Sequence, residues 1–301
     1  MKFKNHNLYE KALRLTVPFI HTQNYPSFKR RLLNKLVGFV EIFSNKSLSI
    51  EETSSSEEII EFFQMLKPFE TPYGLTRIGG EEDGGYLIPN DLEGIVCNIS
   101  PGFGGIMKFE EELFALHQIP SIIVDPIVPS KNQQGITFIN GYLSAYPDDS
   151  KNFLTLDECI KFANTEEGKD AELLLQMDIE GSEYEIINSM SSATLIKFRI
   201  LVIEFHNLSR IRHSWYLKSY VSTAIEKLLS LYSVVHLNVN YQSGTWRILK
   251  SEIAFPETIE VTFLRKDRSV SLLTPKKLPD PKDTFQQRSE LDEKFLEIMN
   301  Y

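Results

Sequence analysis

The sequence predicts an α/β protein organised around one seven-stranded, mostly parallel sheet whose last strand is reversed. Three observations carry this expectation. From about Thr76, short β-branched runs alternate with helical stretches, the pattern of strands covered on both faces by crossover helices. A glycine-rich turn, Pro101-Gly102-Phe103-Gly104-Gly105, follows the first of these core runs, and an acidic residue, Asp125, ends the next. No helical stretch separates the last two runs, so they pair as an antiparallel hairpin.

Taken in order, residues 1–75 read as a helical N-terminal extension broken at Pro18 and Pro26, because proline removes a helix hydrogen bond. Inside it, Ser54 with Glu57, or Ser55 with Glu58, forms a capping box ahead of the apolar stripe Ile59, Phe62, Phe63 and Leu66. Core strands are expected at 94–100, 121–125, 136–140, 173–178, 200–205, 233–238 and 259–264, with helices near 109–117, 156–163, 184–189 and 216–231. Residues 76–267 thus form one domain. Residues 268–301 add a Pro/Lys linker and a terminal helix bearing Leu291, Phe295, Leu296 and Met299.

Composition narrows the function. At 42% hydrophobic and 24% charged, the 301 residues suit a folded globular protein and exclude a largely disordered one. The net charge of −9 argues against a nucleic-acid binder, which needs a basic footprint. No apolar run approaches the ~20 residues that span a bilayer, and MKFKNHNLYE lacks a signal-peptide core. Cys97 and Cys159 form no CxxC pair, which suits a cytoplasmic protein without disulfides or cysteine-ligated zinc. The charge is uneven: residues 1–50 carry a net +7, leaving −16 for the rest. That basic segment, with Leu33, Leu36, Val37 and Val40 on one stripe, either touches a membrane peripherally or packs on the acidic body.

The glycine turn after the first core strand lets a ligand approach the backbone at a helix N-terminus. Asp125, about twenty residues on, suits the two hydroxyls of a ribose. Gly102 and Gly104 lack the third glycine of the dinucleotide fingerprint, which disfavours an NAD-dependent oxidoreductase and favours S-adenosylmethionine. The seven strands with their closing hairpin follow the plan of a Rossmann-like class I methyltransferase sheet.

The fourth core strand ends Asp178-Ile179-Glu180-Gly181-Ser182-Glu183-Tyr184, and this Asp-x-Glu-Gly-x-Glu turn resembles the FkbM-type methyltransferase family. Arg77-Ile78-Gly79 with Asp83-Gly84-Gly85-Tyr86, Val202-Ile203-Glu204-Phe205-His206, His236-Leu237-Asn238-Val239-Asn240 and Pro256 with Ile259-Glu260-Val261-Thr262 resemble further family segments in the same order. The resemblance spans about Arg77 to Asp267 and implies an S-adenosylmethionine-dependent O-methyltransferase, in a family that often acts on sugars and polyketide-derived products. One position departs from the common class I turn: Ser100 stands where an acidic residue precedes the first glycine. The cofactor's amino group then needs another acceptor, with Asp83 and Asp178 as candidates. Asp83, Ser100, Gly102, Gly104, Asp125 and Asp178 make up the candidate cofactor seat.

Ligands of open α/β sheets gather at the carboxyl ends of the strands, where Asp178, Glu180, Glu204, His206, His236 and Asn238 fall, joined by Glu260 at the start of the reversed strand. Methyl transfer to a hydroxyl needs positioning and a proton acceptor. Asp178, Glu204 and His206 are the catalytic candidates. A divalent metal, magnesium or manganese, on Asp178, Glu204, His206 and His236 would serve instead by making the hydroxyl more acidic. His236 and Asn238 alternatively bond to loop backbone. Glu183 and Glu185 read as helix cap and solvated face. Tyr241, Trp246 and Arg247 in the hairpin loop are nominated to bind the acceptor, with Tyr86, His213 and Trp215 behind them; Trp246 alternatively packs the loop down.

The expected function is therefore methyl transfer to a saccharide or glycolipid acceptor, as in surface polysaccharide synthesis, by a chain that could form a homo-oligomer. A non-catalytic scaffold that keeps the fold is the alternative.

Overall fold

The computed structural model describes residues 52–81, 84–163, 171–247, 253–268, 274–283 and 290–300. The basic segment at 1–50 and Asp83 therefore lie outside the described residues.

Helix α1 (Ser56–Met65) begins on Ser55, whose side chain accepts from the Glu58 amide while Glu58 reaches back to the Ser55 amide. A short antiparallel hairpin follows, β1 (Leu75–Ile78) and β2 (Tyr86–Pro89). The main sheet is built from β3 (Ile95–Pro101), β4 (Ser121–Asp125), β5 (Ile136–Asn140), β6 (Glu172–Met177), β7 (Phe198–Phe205), β8 (Tyr232–Val239) and β9 (Ile259–Arg265). Its helices are α2 (Lys108–His117), α3 (Leu156–Lys161), α4 (Glu183–Ser189), α5 (Ser192–Leu195), α6 (Ser222–Leu231) and α7 (Glu290–Asn300).

The seven strands lie in the order β8-β9-β7-β6-β3-β4-β5. Strands β5, β4, β3, β6 and β7 pair in parallel, and β9 runs antiparallel to both β7 and β8. This mixed sheet is consistent with a methyltransferase-like fold. The direction of winding reverses between β3 and β6, which makes their carboxyl ends the switch point where ligands bind in open α/β sheets.

Strand periodicity explains why both faces are covered. Leu173, Leu175 and Met177 of β6, and Leu201, Ile203 and Phe205 of β7, face a core completed by α1, α3, α4, α6 and α7. The alternate residues Leu174, Ile200 and Val202 face a second core under α2 and the β1-β2 hairpin. Thr262 pins that hairpin down by donating to the Leu87 carbonyl at 2.8 Å. Helix α1 belongs to the main core, where Phe63 meets Phe295 of α7 with ring centroids 4.9 Å apart. The helix expected over 216–231 is interrupted by a π turn at Leu217–Val221, where the rings of Tyr216 and Tyr220 pack 5.2 Å apart. No helix among the described residues is long and apolar enough to cross a membrane.

At the opposite end of the sheet, charged side chains clamp the strand starts. Buried Arg199 donates to the carbonyls of Asp91 (2.9 Å) and Glu93 (2.7 Å) and pairs with Asp91 and Glu172. Arg268 grips Asp91 with two nitrogens, at 2.7 and 2.8 Å, and Arg265 shares Glu172. Removing one member of a buried pair strands the other charge. Asp91→Ala, which removes the buried carboxylate shared by Arg199 and Arg268 while Glu172 still pairs with Arg199, should lower stability by about 2–3 kcal/mol. Arg268→Ala, at a half-exposed position, should lower it by about 1 kcal/mol or less. Urea denaturation of both variants reads the difference, and equal losses would refute the role given to Asp91.

Candidate active site

The site is assembled by a close backbone contact. Gly102 has φ +99°, and a Cβ there would lie 1.7 Å from the Asp178 carbonyl oxygen, so only glycine lets the turn after β3 meet the end of β6. The Asp178 amide donates to the Pro101 carbonyl at 3.2 Å, and the Gly102 amide donates to Val124 at 3.0 Å. Asp125 then ties the turn to β4: its two oxygens accept from the amides of Phe103 (3.1 Å) and Ile127 (2.7 Å). Nothing lies within 4 Å of a Cβ built on Gly104, so this stretch of backbone is open to an approaching ligand.

Ser100 is buried, with its hydroxyl 2.5 Å from Glu110 Oε1 of α2 and 2.6 Å from Gln176 Oε1 of β6. A hydroxyl has one proton to donate, so it serves one of these oxygens, and a protonated Glu110 or a turned Gln176 amide serves the other contact. Burial pushes the Glu110 carboxyl up, against the opposing Ser100 bond. Gln176 Nε2 continues the chain to the Tyr86 hydroxyl at 3.3 Å. Tyr86 is therefore buried beneath the site rather than exposed for an acceptor, and burial followed by the charges of Glu260, Glu204 and Asp178 raises its hydroxyl. Sequence reasoning missed Glu110; the one available signal was its place on the buried stripe of α2 beside Phe109 and Leu113.

The structure brings Asp178, Glu204 and His206 together. His206 Nε2 lies 3.6 Å from Asp178 Oδ1, 3.7 Å from Glu204 Oε1 and 3.7 Å from Glu180 Oε2. On its other side, Nδ1 is 3.0 Å from Glu183 Oε1. Glu183 is fully buried, and the same oxygen accepts from the amides of Gly181 (3.0 Å) and Ile179 (3.3 Å). This corrects the cap-or-solvated-face reading of Glu183: the turn folds back and delivers its carboxylate to the imidazole. The turn is tight. Glu180 has φ +56°, an unusual conformation for a residue with a side chain, and a Cβ on Gly181 would lie 2.0 Å from Asn207 Nδ2.

Burial, then the charges of Asp178 and Glu260, raise Glu204 to about 8. Glu260 sits directly across from Glu204 on the antiparallel strand, and its carboxyl is pushed up by burial, partly offset by Asn238 Nδ2 at 3.0 Å. Asn240 donates to Glu204 Oε1 at 3.1 Å. Burial alone would lower His206, but the Glu183 hydrogen bond and the charges of Glu183, Glu204 and Asp178 outweigh it and raise the imidazole to about 9.

Other candidates lie elsewhere. His236 does not join the group offered to a metal: its pleat position puts it under the C-terminal connector, where Nε2 meets Asp283 Oδ1 at 2.8 Å. Asp178, Glu204 and His206 alone present ligand atoms within 4.8 Å of one another among the described residues. Trp246 packs the hairpin loop down, with its indole N–H on Glu257 and its face covered by Arg212 at 4.7 Å. Tyr241 packs on the main core, and Arg247 is exposed.

The doubly covered mixed sheet, with a glycine turn at its switch point, is consistent with a methyltransferase-like fold. Residues 151–228 match the family model described as Methyltransferase FkbM domain. The resemblance read from the Asp178–Tyr184 turn and from Val202–His206 falls inside that stretch, which supports a methyltransferase in general. No curated protein matches the chain.

Glu110 supplies a pH test. The folded chain keeps a proton that the unfolded chain releases, so this contribution is complete at acid pH. It declines by about 1.4 kcal/mol per pH unit from the ordinary glutamate range up to the raised folded value. Glu110→Gln removes this decline. Urea melts across that window should show the wild type losing stability more steeply than the variant; parallel profiles would mean that Glu110 is ionised.

Proposed function

We propose that this protein is an S-adenosylmethionine-dependent O-methyltransferase acting on a hydroxyl of a saccharide or glycoconjugate. The observation that carries the reading is the convergence at one switch point of the Gly102 turn, Asp125 and the buried group around His206. Each Asp125 oxygen accepts one amide and keeps a lone pair for a ribose hydroxyl. The open backbone at Gly104 supports a nucleoside there, and Asp178 is the residue we assign to the amino group for which Ser100 offers no charge. A sulfonium cofactor is cationic, and the carboxylates of this rim favour it electrostatically.

In the reaction, the acceptor oxygen attacks the methyl carbon in line with the breaking carbon–sulfur bond. The sulfur keeps the bonding pair, and the hydroxyl proton leaves toward Asp178, with Glu204 and His206 beside it. The family's frequent action on sugars supports a saccharide acceptor. The basic segment at 1–50 suits peripheral contact with an anionic membrane bearing a lipid-linked acceptor in the cytoplasm.

Calorimetric titration with S-adenosylmethionine, and with its demethylated product, tests the reading. Both should bind, and Asp125→Ala should weaken binding by about 10- to 100-fold, the loss of two charge-assisted hydrogen bonds. Absence of binding would overturn the proposal. Binding without methyl transfer to any member of a broad glycan panel would favour the scaffold alternative.

A further inference from the structure

We propose that Asp178, Glu204 and His206 form a divalent-cation site, with Glu183 as the residue that orients its histidine ligand. Its function in methyl transfer rests on the reading above, whereas its binding does not.

The first argument is spacing. His206 Nε2 stands almost equally far, 3.6 to 3.7 Å, from oxygens of Asp178, Glu204 and Glu180. A histidine that simply hydrogen-bonds an acid draws one oxygen to about 2.8 Å; here none is that close. Bonds of roughly 2.1 Å to a small divalent cation place neighbouring ligands about 3.0–3.5 Å apart. The observed separations are a few tenths of an ångström from closing on a shared ion.

The second argument lies outside the ligand trio. Glu183, fully buried and held by two backbone amides, takes the Nδ1 side of the imidazole at 3.0 Å. When a cation displaces the Nε2 proton, that bond keeps the remaining proton on Nδ1 and turns the Nε2 lone pair toward the carboxylates, the arrangement that orients metal-binding histidines. Asn240 steadies Glu204 in the same way. The third argument is charge. Glu204 is 5% exposed and Glu183 0%, and among the described residues His206 is the only cationic side chain paired with either within 4 Å. Buried carboxyl groups crowded in this way are neutralised by keeping protons or by taking up a cation.

One imidazole among carboxylates suits manganese or magnesium better than zinc or copper. Asp178 is 34% exposed, so the remaining coordination positions open on the side where an acceptor would enter. A hydroxyl oxygen bound there loses its proton more readily. The new oxygen–carbon bond then forms as the sulfonium's carbon–sulfur bond breaks, sulfur keeps the electron pair, and the proton leaves through solvent-exposed Glu180. His206 acts as a ligand in this scheme.

The test is titration of Mn²⁺ into the chelator-treated full-length chain without cofactor, read by electron paramagnetic resonance and calorimetry. A single tight Mn²⁺ is expected. Asp178→Asn and Glu204→Gln should each abolish tight binding, and Glu183→Gln should weaken it by about 10- to 100-fold, the usual effect of losing a residue that orients a ligand. Glu185→Gln, on the exposed face of α4, should leave it unchanged. Thermal melts establish that the variants fold. Absence of tight Mn²⁺ in the wild type, or binding that is equal in wild type and both ligand variants, would overturn the site. If the demethylated cofactor binds and Mn²⁺ does not, the cation is refuted and methyl transfer stands; if Mn²⁺ binds and the cofactor does not, the cation stands and the methyltransferase reading is refuted.

Discussion

The contact between Gly102 and the carbonyl of Asp178 is the constraint on which the rest of the site depends. It closes the gap between the turn after β3 and the end of β6 to a distance that no side chain tolerates. Asp125, anchored to that turn through Phe103, and Asp178, at the end of β6, thereby become parts of one surface. The turn that follows Asp178 then reverses sharply through Glu180 and Gly181, and this reversal carries Glu183 back beneath His206. Backbone proximity thus comes first, and the electrostatics of the site follow from it.

The two ends of the sheet treat charge in opposite ways. Behind the strands, Arg199, Arg265 and Arg268 alternate with Asp91 and Glu172, so each buried charge has an opposite neighbour and the strand starts are held rigidly. At the carboxyl ends, Asp178, Glu180, Glu183 and Glu204 crowd around His206, and Glu260 stands across from Glu204. Burial, joined at Glu204 by the charges of Asp178 and Glu260, opposes ionisation here, as the raised carboxyl groups of Glu204 and Glu260 express. The balanced end stabilises the fold, and the imbalanced end is where a cationic ligand would gain most.

Much of this was legible in the sequence because strand and cap signals are local. The alternation in β6 and β7 marked strands buried on both faces, and Ser55 with Glu58 marked the start of α1. The grouping of Asp178, Glu204 and His206 followed from their places at parallel strand ends. Glu183 was misread because its helix-start position suits a cap, and only the reversal at Glu180 and Gly181 buries it. His236 was misplaced because nothing local shows that the C-terminal connector crosses over it with Asp283. Trp246 was nominated for a ligand that Glu257 and Arg212 replace in the fold.

The sequence by itself determined the strands, their two apolar faces and the residues that stand at their ends, since these depend on periodicity and on turn chemistry within a few residues. Only the tertiary structure decided which of those residues meet. Insertion of β9 between β7 and β8, the approach of Gly102 to Asp178 and the return of Glu183 to His206 are contacts between segments remote in sequence or folded back on themselves. The packing that imposes them also sets the burial of each carboxylate, and burial is the largest cause of the raised Glu204, Glu260 and Glu110.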